Sequence, residues 1–204
     1  MILFLNGLTI TETEYKCLLY VEENPEQWLL TTIAEKVKLR KDALIKEWIP
    51  RLFADSNITA LPADKDTLIE LIMARSDYRS RLQQNAEVVP PIQASLHNIK
   101  RFTTRRVTGK VVILFPTGIT ISAVDYASVL AYVEDMNDWV YGAILGHINR
   151  GKKKIQKQYT QMLFDDPAVI TVPANENDLL ALILQRPEYK TLPAQLEEAR
   201  RAQR

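Results

Sequence analysis

Cysteine is almost missing from this 204-residue chain: Cys17 stands alone, which excludes an internal disulfide. There are two histidines, His97 and His147, and with a single thiol they are too few for a Cys/His metal site. Neither a metal nor a cofactor is therefore expected. No apolar run approaches the roughly 18 residues needed to cross a bilayer, and Met1 to Leu5 lacks the charged flank and length of a signal peptide. The expectation is no membrane, no export by that route, and synthesis in a reducing cytoplasm. Phosphate-loop signals are missing too: Gly109-Lys110 and Gly151-Lys152 have neither the upstream glycine nor the following Ser or Thr. No nucleophile, base and orienting partner share any spacing logic, so the chain reads as a non-enzyme without a small-molecule substrate.

What is present is ordinary globular composition, 47% hydrophobic and 25% charged, so a packed core is expected. The clearest pattern is internal. Pairing each residue with the one 111 positions later matches Ile2-Leu3-Phe4 to Ile113-Leu114-Phe115, Gly7 to Gly118, Tyr15 to Tyr126 and Trp28 to Trp139. Leu52-Phe53, Asp55, Pro62-Ala63, Leu71-Ile72, Arg75 and Tyr78 continue it, giving 23 identities over 82 gapless positions. Unrelated sequences would give about 5. Residues 1–82 and 112–193 therefore read as two copies of one unit, the signature of a tandem duplication.

Each copy predicts the same order of elements. Ile2 to Leu5, Asn6-Gly7 and Leu8 to Ile10 read as a β-hairpin around a favoured two-residue turn, with Pro116-Thr117-Gly118 as a longer turn in copy two. Thr11 with Glu14, and Ser122 with Asp125, supply a capping side chain and an acidic residue at the start of a first helix. After Asn24-Pro25, the stripe Leu29, Ile33, Val37, Leu44, Trp48, Leu52 predicts a long helix, matched by Val140, Ile144, Ile148, Ile155, Tyr159, Leu163. Pro50 should stop or kink the first of these, so the two are expected to differ in length. An extended segment (Ile58 to Leu61, Val169 to Val172) then leads to a helix capped by Asp64 or Asn175. The fold class is helix-rich α+β: two repeats of hairpin, helix, long helix, extended segment, helix, with a pseudo-twofold axis as the natural relation between them.

Net charge is −2 over 1–82, +4 over 83–111, −2 over 112–193 and +1 over the charged tail 194–204. The stretch 83–111, with Pro90-Pro91, reads as a basic linker carrying Lys100, Arg101, Arg105, Arg106 and Lys110. Lys152, Lys153 and Lys154 form a second basic run. These clusters are the candidate nucleic-acid contacts, since neutralised phosphates release counterions; the alternative is solvated or salt-bridging surface. Gly142 and Gly146 form a small-xxx-small pair that predicts close helix approach. Trp28 and Trp139 read as core closure between the first two helices or as interface anchors. Asp165-Asp166 with Asp138 or Asp135 suggests paired carboxylates, but nothing in the sequence fixes their mutual geometry and solvated charge is the default reading. Cys17, aligned with Ser128, reads as a small buried residue.

The segment from Glu14 through Tyr15, Leu18-Leu19-Tyr20-Val21 and Asn24-Pro25 to Trp28 resembles a run in small uncharacterised proteins of tailed bacteriophages. The later helix capped after Pro-Ala is similar as well. Copy two departs from it, with Met136-Asn137-Asp138-Trp139 in place of the Asn-Pro break. The resemblance carries no catalytic residue. It implies a viral gene product: a virion or assembly component whose partners are other protein subunits, made in the host cytoplasm and incorporated into the virion. A nucleic-acid-binding accessory or regulator that uses the basic linker is the alternative.

Overall fold

The computed structural model describes residues 2–4, 7–88 and 110–203, with backbone alone at Ile2, Leu3, Phe4, Val88 and Val111. The elements run β1 (Ile2–Phe4), β2 (Leu8–Thr11), α1 (Glu12–Leu19), α2 (Pro25–Ala54), α3 (Lys65–Met73), α4 (Arg81–Val88), β3 (Val111–Leu114), β4 (Ile119–Ile121), α5 (Ala123–Leu130), α6 (Met136–Asp165), α7 (Glu176–Leu184) and α8 (Leu192–Ala202). The protein is helix-rich α+β with little sheet, as composition and periodicity predict. The 111-residue offset recurs in the element bounds: α1 and α5, α2 and α6, and α3 and α7 each start and end at matching positions. Helices α4 and α8 also start at that offset, so helical structure continues into stretches expected as linker and tail.

Strand pairing differs from expectation. Neither β1 nor β3 folds back on its neighbour as a hairpin. Strand β1 pairs antiparallel with β4, with Ile2 opposite Ile121, and β2 pairs antiparallel with β3, with Leu8 opposite Leu114. Gly7 and Gly118 both adopt left-handed φ (73° and 77°), as a turn residue would, but Gly7 N–H donates to the Phe115 carbonyl at 3.0 Å and not to its own preceding strand. The two ladders run over three and four residue pairs, Ile2 to Phe4 against Ile119 to Ile121 and Leu8 to Thr11 against Val111 to Leu114.

The described residues form two compact units, each drawing on both halves of the sequence. Unit one takes its residues from Met1–Gly7, Leu30–Arg106 and Phe115–Val140. Unit two takes them from Leu8–Leu29, Val107–Leu114 and Tyr141–Arg204. Strands β1 and β4, most of α2, α3, α4 and α5 belong to unit one; β2, β3, α1, most of α6, α7 and α8 belong to unit two.

Helix starts follow the sequence closely. In α1, Thr11 Oγ1 accepts from Glu14 N–H at 3.1 Å while the Glu14 carboxylate accepts from Thr11 N–H at 2.9 Å, a full capping box. Ser122 likewise accepts from Asp125 N–H (3.0 Å) at α5, and the Asp125 carboxylate is engaged by Lys41 of α2 as well as by Ser122. Asn24 and Asp135 cap the long helices through Gln27 N–H (3.0 Å) and Asn137 N–H (2.6 Å). Asp64 and Asn175 cap α3 and α7.

Both long helices have 30 residues, so Pro50 does not shorten α2. Its ring lies on the exposed side, where the carbonyl one turn back can turn to water, while Trp48 and Leu52 on the other side are buried. All twelve residues of the two long stripes are buried. In unit one Leu44, Trp48 and Leu52 pack with Leu68, Ile69, Ile72 and Ala131. In the third helices Leu68, Ile69 and Ile72 of α3 and Leu180 and Ile183 of α7 are buried, and Leu71 and Leu182 are half-buried.

Close helix approach occurs at a glycine other than the expected pair. A side-chain carbon added at Gly142 or Gly146 would meet nothing within 4 Å. One added at Gly151 would lie 2.1 Å from the Cys17 carbonyl oxygen, so α1 crosses α6 where only glycine fits. Gly151→Ala is expected to destabilise by at least about 1 to 3 kcal/mol through overpacking. Gly142→Ala should instead stabilise by up to about 1 kcal/mol through helix propensity. Urea denaturation of the two variants checks the contrast. Leu44→Ala and Ile155→Ala should each cost about 2 to 5 kcal/mol in the same assay.

Candidate functional site

The polar side chains of each unit fall into small clusters, and several of them have a counterpart 111 residues away. In unit one Arg75 pairs with Asp55 (2.8 Å) and Asp77 (2.9 Å); in unit two Arg186 pairs with Asp166 and with Glu188 (3.3 Å). The guanidinium thereby ties the end of each long helix to the turn after the third helix. The Asp55 carboxyl is held below the ordinary range by Arg75 and the Asn57 N–H, and that of Asp166 by the Ala168 N–H and then Arg186. Arg79 pairs with Glu87 at 2.9 Å and Lys190 with Glu198 at 2.5 Å. Gln84 and Gln195 donate to the carbonyls of those same basic residues, Arg79 and Lys190. Trp48 stands 6.0 Å from Tyr78, and Tyr159 stands 6.1 Å from Tyr189, ring centre to ring centre.

Trp28 and Trp139 are half-buried at equivalent helix starts, and each is covered by a nitrogen-bearing side chain from the other long helix. In unit one Lys36 Nζ lies 5.4 Å from the Trp139 ring centre. In unit two the equivalent position is His147, 5% exposed, stacked on Trp28 at 4.0 Å and 26°. The Arg150 guanidinium donates to His147 Nδ1 (2.7 Å), so Nδ1 is the acceptor and Nε2 carries the hydrogen donated to Glu22 Oε1 (2.9 Å). Burial and the neighbouring Arg150 push the imidazole below its ordinary value, Lys154 adding to the effect, and Glu22 opposes them. Nδ1 is satisfied from within α6, by Arg150, and Nε2 ties the helix to Glu22, in the segment between α1 and α2.

Comparison with protein-family models, with curated proteins and with solved structures gives no match.

Of the sequence-predicted contacts, Lys100, Arg101, Arg105 and Arg106 lie outside the described residues. Lys153 and Lys154 are exposed on α6 and Lys152 is half-buried, and among the described residues none of the three forms an ion pair. The carboxylates Asp135 and Asp166 are not brought together: they stand at opposite ends of α6, one capping it and the other held by Arg186. Cys17 is fully buried, and burial pushes its thiol up to about 12, as expected of a small core residue and not of a nucleophile.

Two exposed aromatics are additional to the sequence reading. Phe53 and Phe164 are 75% and 66% exposed at matching positions near the ends of α2 and α6. Each follows a buried stripe residue, Leu52 or Leu163, and the 100° step of a helix turns it to solvent. The stripe itself carries that signal: a phenylalanine one step off a buried face has no core to enter. The His147 cluster had no such signal, because Glu22 aligns with Val133 and lies 125 positions from its partner.

Because the folded-state value of His147 is lowered, the unfolded chain binds more protons as the pH falls through the ordinary histidine range near 6.5. Its contribution to stability is complete above that value and is lost below it. Carbon-detected NMR should show His147 titrating below 6.5, and His147→Gln should flatten the acid limb of the stability profile. A midpoint above 6.5 would contradict this.

Proposed function

We propose that the chain is a non-enzymatic protein-interaction or structural protein, a bacteriophage virion or assembly component, which arose by internal duplication with a pseudo-twofold relation between its copies. The carrying observation is that the polar contacts recurring at the 111-residue offset are fold-holding ones: Asp55–Arg75 and Asp166–Arg186, Arg79–Glu87 and Lys190–Glu198. What recurs beyond them at the surface is an exposed phenylalanine, Phe53 and Phe164. Doubling a fold together with an exposed aromatic presents the same contact twice, and aromatic side chains supply large rigid contact area at interfaces. The partners on this reading are other protein subunits, and the likeness of Glu14 to Trp28 to small phage proteins supports a viral setting. No helix among the described residues is long and apolar enough to cross a membrane.

A second reading rests on Lys153 and Lys154, exposed cations without an ion pair among the described residues. On it the chain is a nucleic-acid-binding accessory, and duplex DNA binding in a gel-shift titration should fall steeply as salt rises. No shift even at low salt would end it.

Mass spectrometry of gradient-purified particles from the encoding virus tests the first reading. The chain is expected at a stoichiometry fixed against the major structural proteins; its absence from both mature particles and assembly intermediates would overturn that reading.

A further inference from the structure

Unit two holds a surface cleft of ≈ 400 Å³ beside the end of α6. Its apolar lining comes from Leu163 and Ile183, which are buried, and from Met162 and Pro167 at the mouth. Around it the surface is unusually apolar: Met162 is 47% exposed, Phe164 66%, and Ile170, on the chain leaving the cleft, 95%. Three carboxylates also line it, Asp165, Asp166 and Glu188, against one guanidinium, Arg186. Arg186 is shared between Asp166 and Glu188, and among the described residues Asp165 accepts from the Gln161 amide, at 3.0 Å. The cleft is therefore apolar within and carries an excess of two negative charges at its edge.

The matching residues of unit one lack this character. Arg51 stands where Met162 is, Ala54 where Asp165 is and Ser56 where Pro167 is. There Arg75 pairs with Asp55 and Asp77, while Arg51 pairs with Glu47 and lies 4.8 Å over Trp48. The duplicated framework is kept while one copy gains apolar surface and loses positive charge.

The geometry points to this cleft as the docking site for a basic, apolar segment of a partner protein, one that inserts the aliphatic stem of a Lys or Arg and leaves the cationic head at the carboxylate rim. Such side chains bury an apolar stem while the head stays at the polar edge, and a rim of opposite charge selects them over acidic or neutral ones. The volume falls within the range of sites that take a small ligand or one anchoring side chain. The inference deepens the protein-interaction reading and rests on it, but its test is independent of whether the chain is found in a particle.

The test uses the full chain labelled at its methionine methyl groups, with hexylammonium as the probe and hexanoate as the control of opposite charge. Hexylammonium should shift the Met162 methyl resonance saturably, and hexanoate should bind about tenfold more weakly or less. The double variant Asp165→Asn, Glu188→Gln should weaken hexylammonium binding by about threefold or more while the Met73 and Met136 resonances stay in place, showing an intact fold. Equal shifts from both probes, no shift of Met162 by either, or unchanged affinity in the double variant would each overturn the proposal.

Discussion

The short strands place a constraint on everything else: their backbone groups need partners, and the neighbouring strand in sequence does not provide them. Because β1 pairs with β4 and β2 with β3, the helix that follows each second strand is carried with it. Helix α1 follows β2 into unit two, where Cys17 meets Gly151, and α5 follows β4 into unit one, where Lys41 binds Asp125. Local strand pairing thus decides which core each first helix enters. It also explains why Trp28 is covered by His147 and Trp139 by Lys36, each from the long helix of the other half.

The stripe of each long helix is buried along its whole length although the unit boundary falls inside both helices, after Leu29 and after Val140. The third helices and the short helices after them are fastened locally, by the Arg75 and Arg186 clamps and by the Arg79 and Lys190 pairs. These ion pairs are part-exposed, so individually they are weak, and their effect is to fix the geometry of turns more than to hold the core. Three of the differences between copies fall at contact points: glycine for Arg40 at position 151, histidine for Lys36 at 147, methionine for Arg51 at 162. Substitutions of that kind leave a framework intact while changing what its surface and its joints can do.

Much of this was legible from residue order alone. The long stripes, the caps at Thr11, Ser122, Asp64 and Asn175, and the burial of Cys17 follow from local rules that depend only on near neighbours in sequence. The hairpins were misread because Asn6-Gly7 is a strong turn signal, yet the choice of strand partner is made by residues more than a hundred positions away. Pro50 was misread because proline breaks a helix only where its neighbours cannot tolerate the lost hydrogen bond, and on an exposed side they can. The Gly142 and Gly146 pair was read by spacing, whereas close approach is decided by which element crosses the helix, and that is α1 at Gly151. The His147 cluster joins residues from two sequence halves and was out of reach of any local pattern.

Strand exchange is the claim on which the rest depends, and a disulfide reports it directly. In a Cys17→Ser background, Thr9→Cys with Ile113→Cys places thiols on directly opposed residues of β2 and β3, about 4.5 to 5.5 Å apart at Cβ. Phe4→Cys with Thr9→Cys places them where a hairpin closed by Asn6-Gly7 would oppose them. Mild oxidation at low protein concentration, read by thiol labelling and mass, is predicted to close the 9–113 bond within one chain and to leave the 4–9 pair reduced. Rapid closure of the 4–9 bond with the 9–113 pair left free would contradict the exchanged pairing.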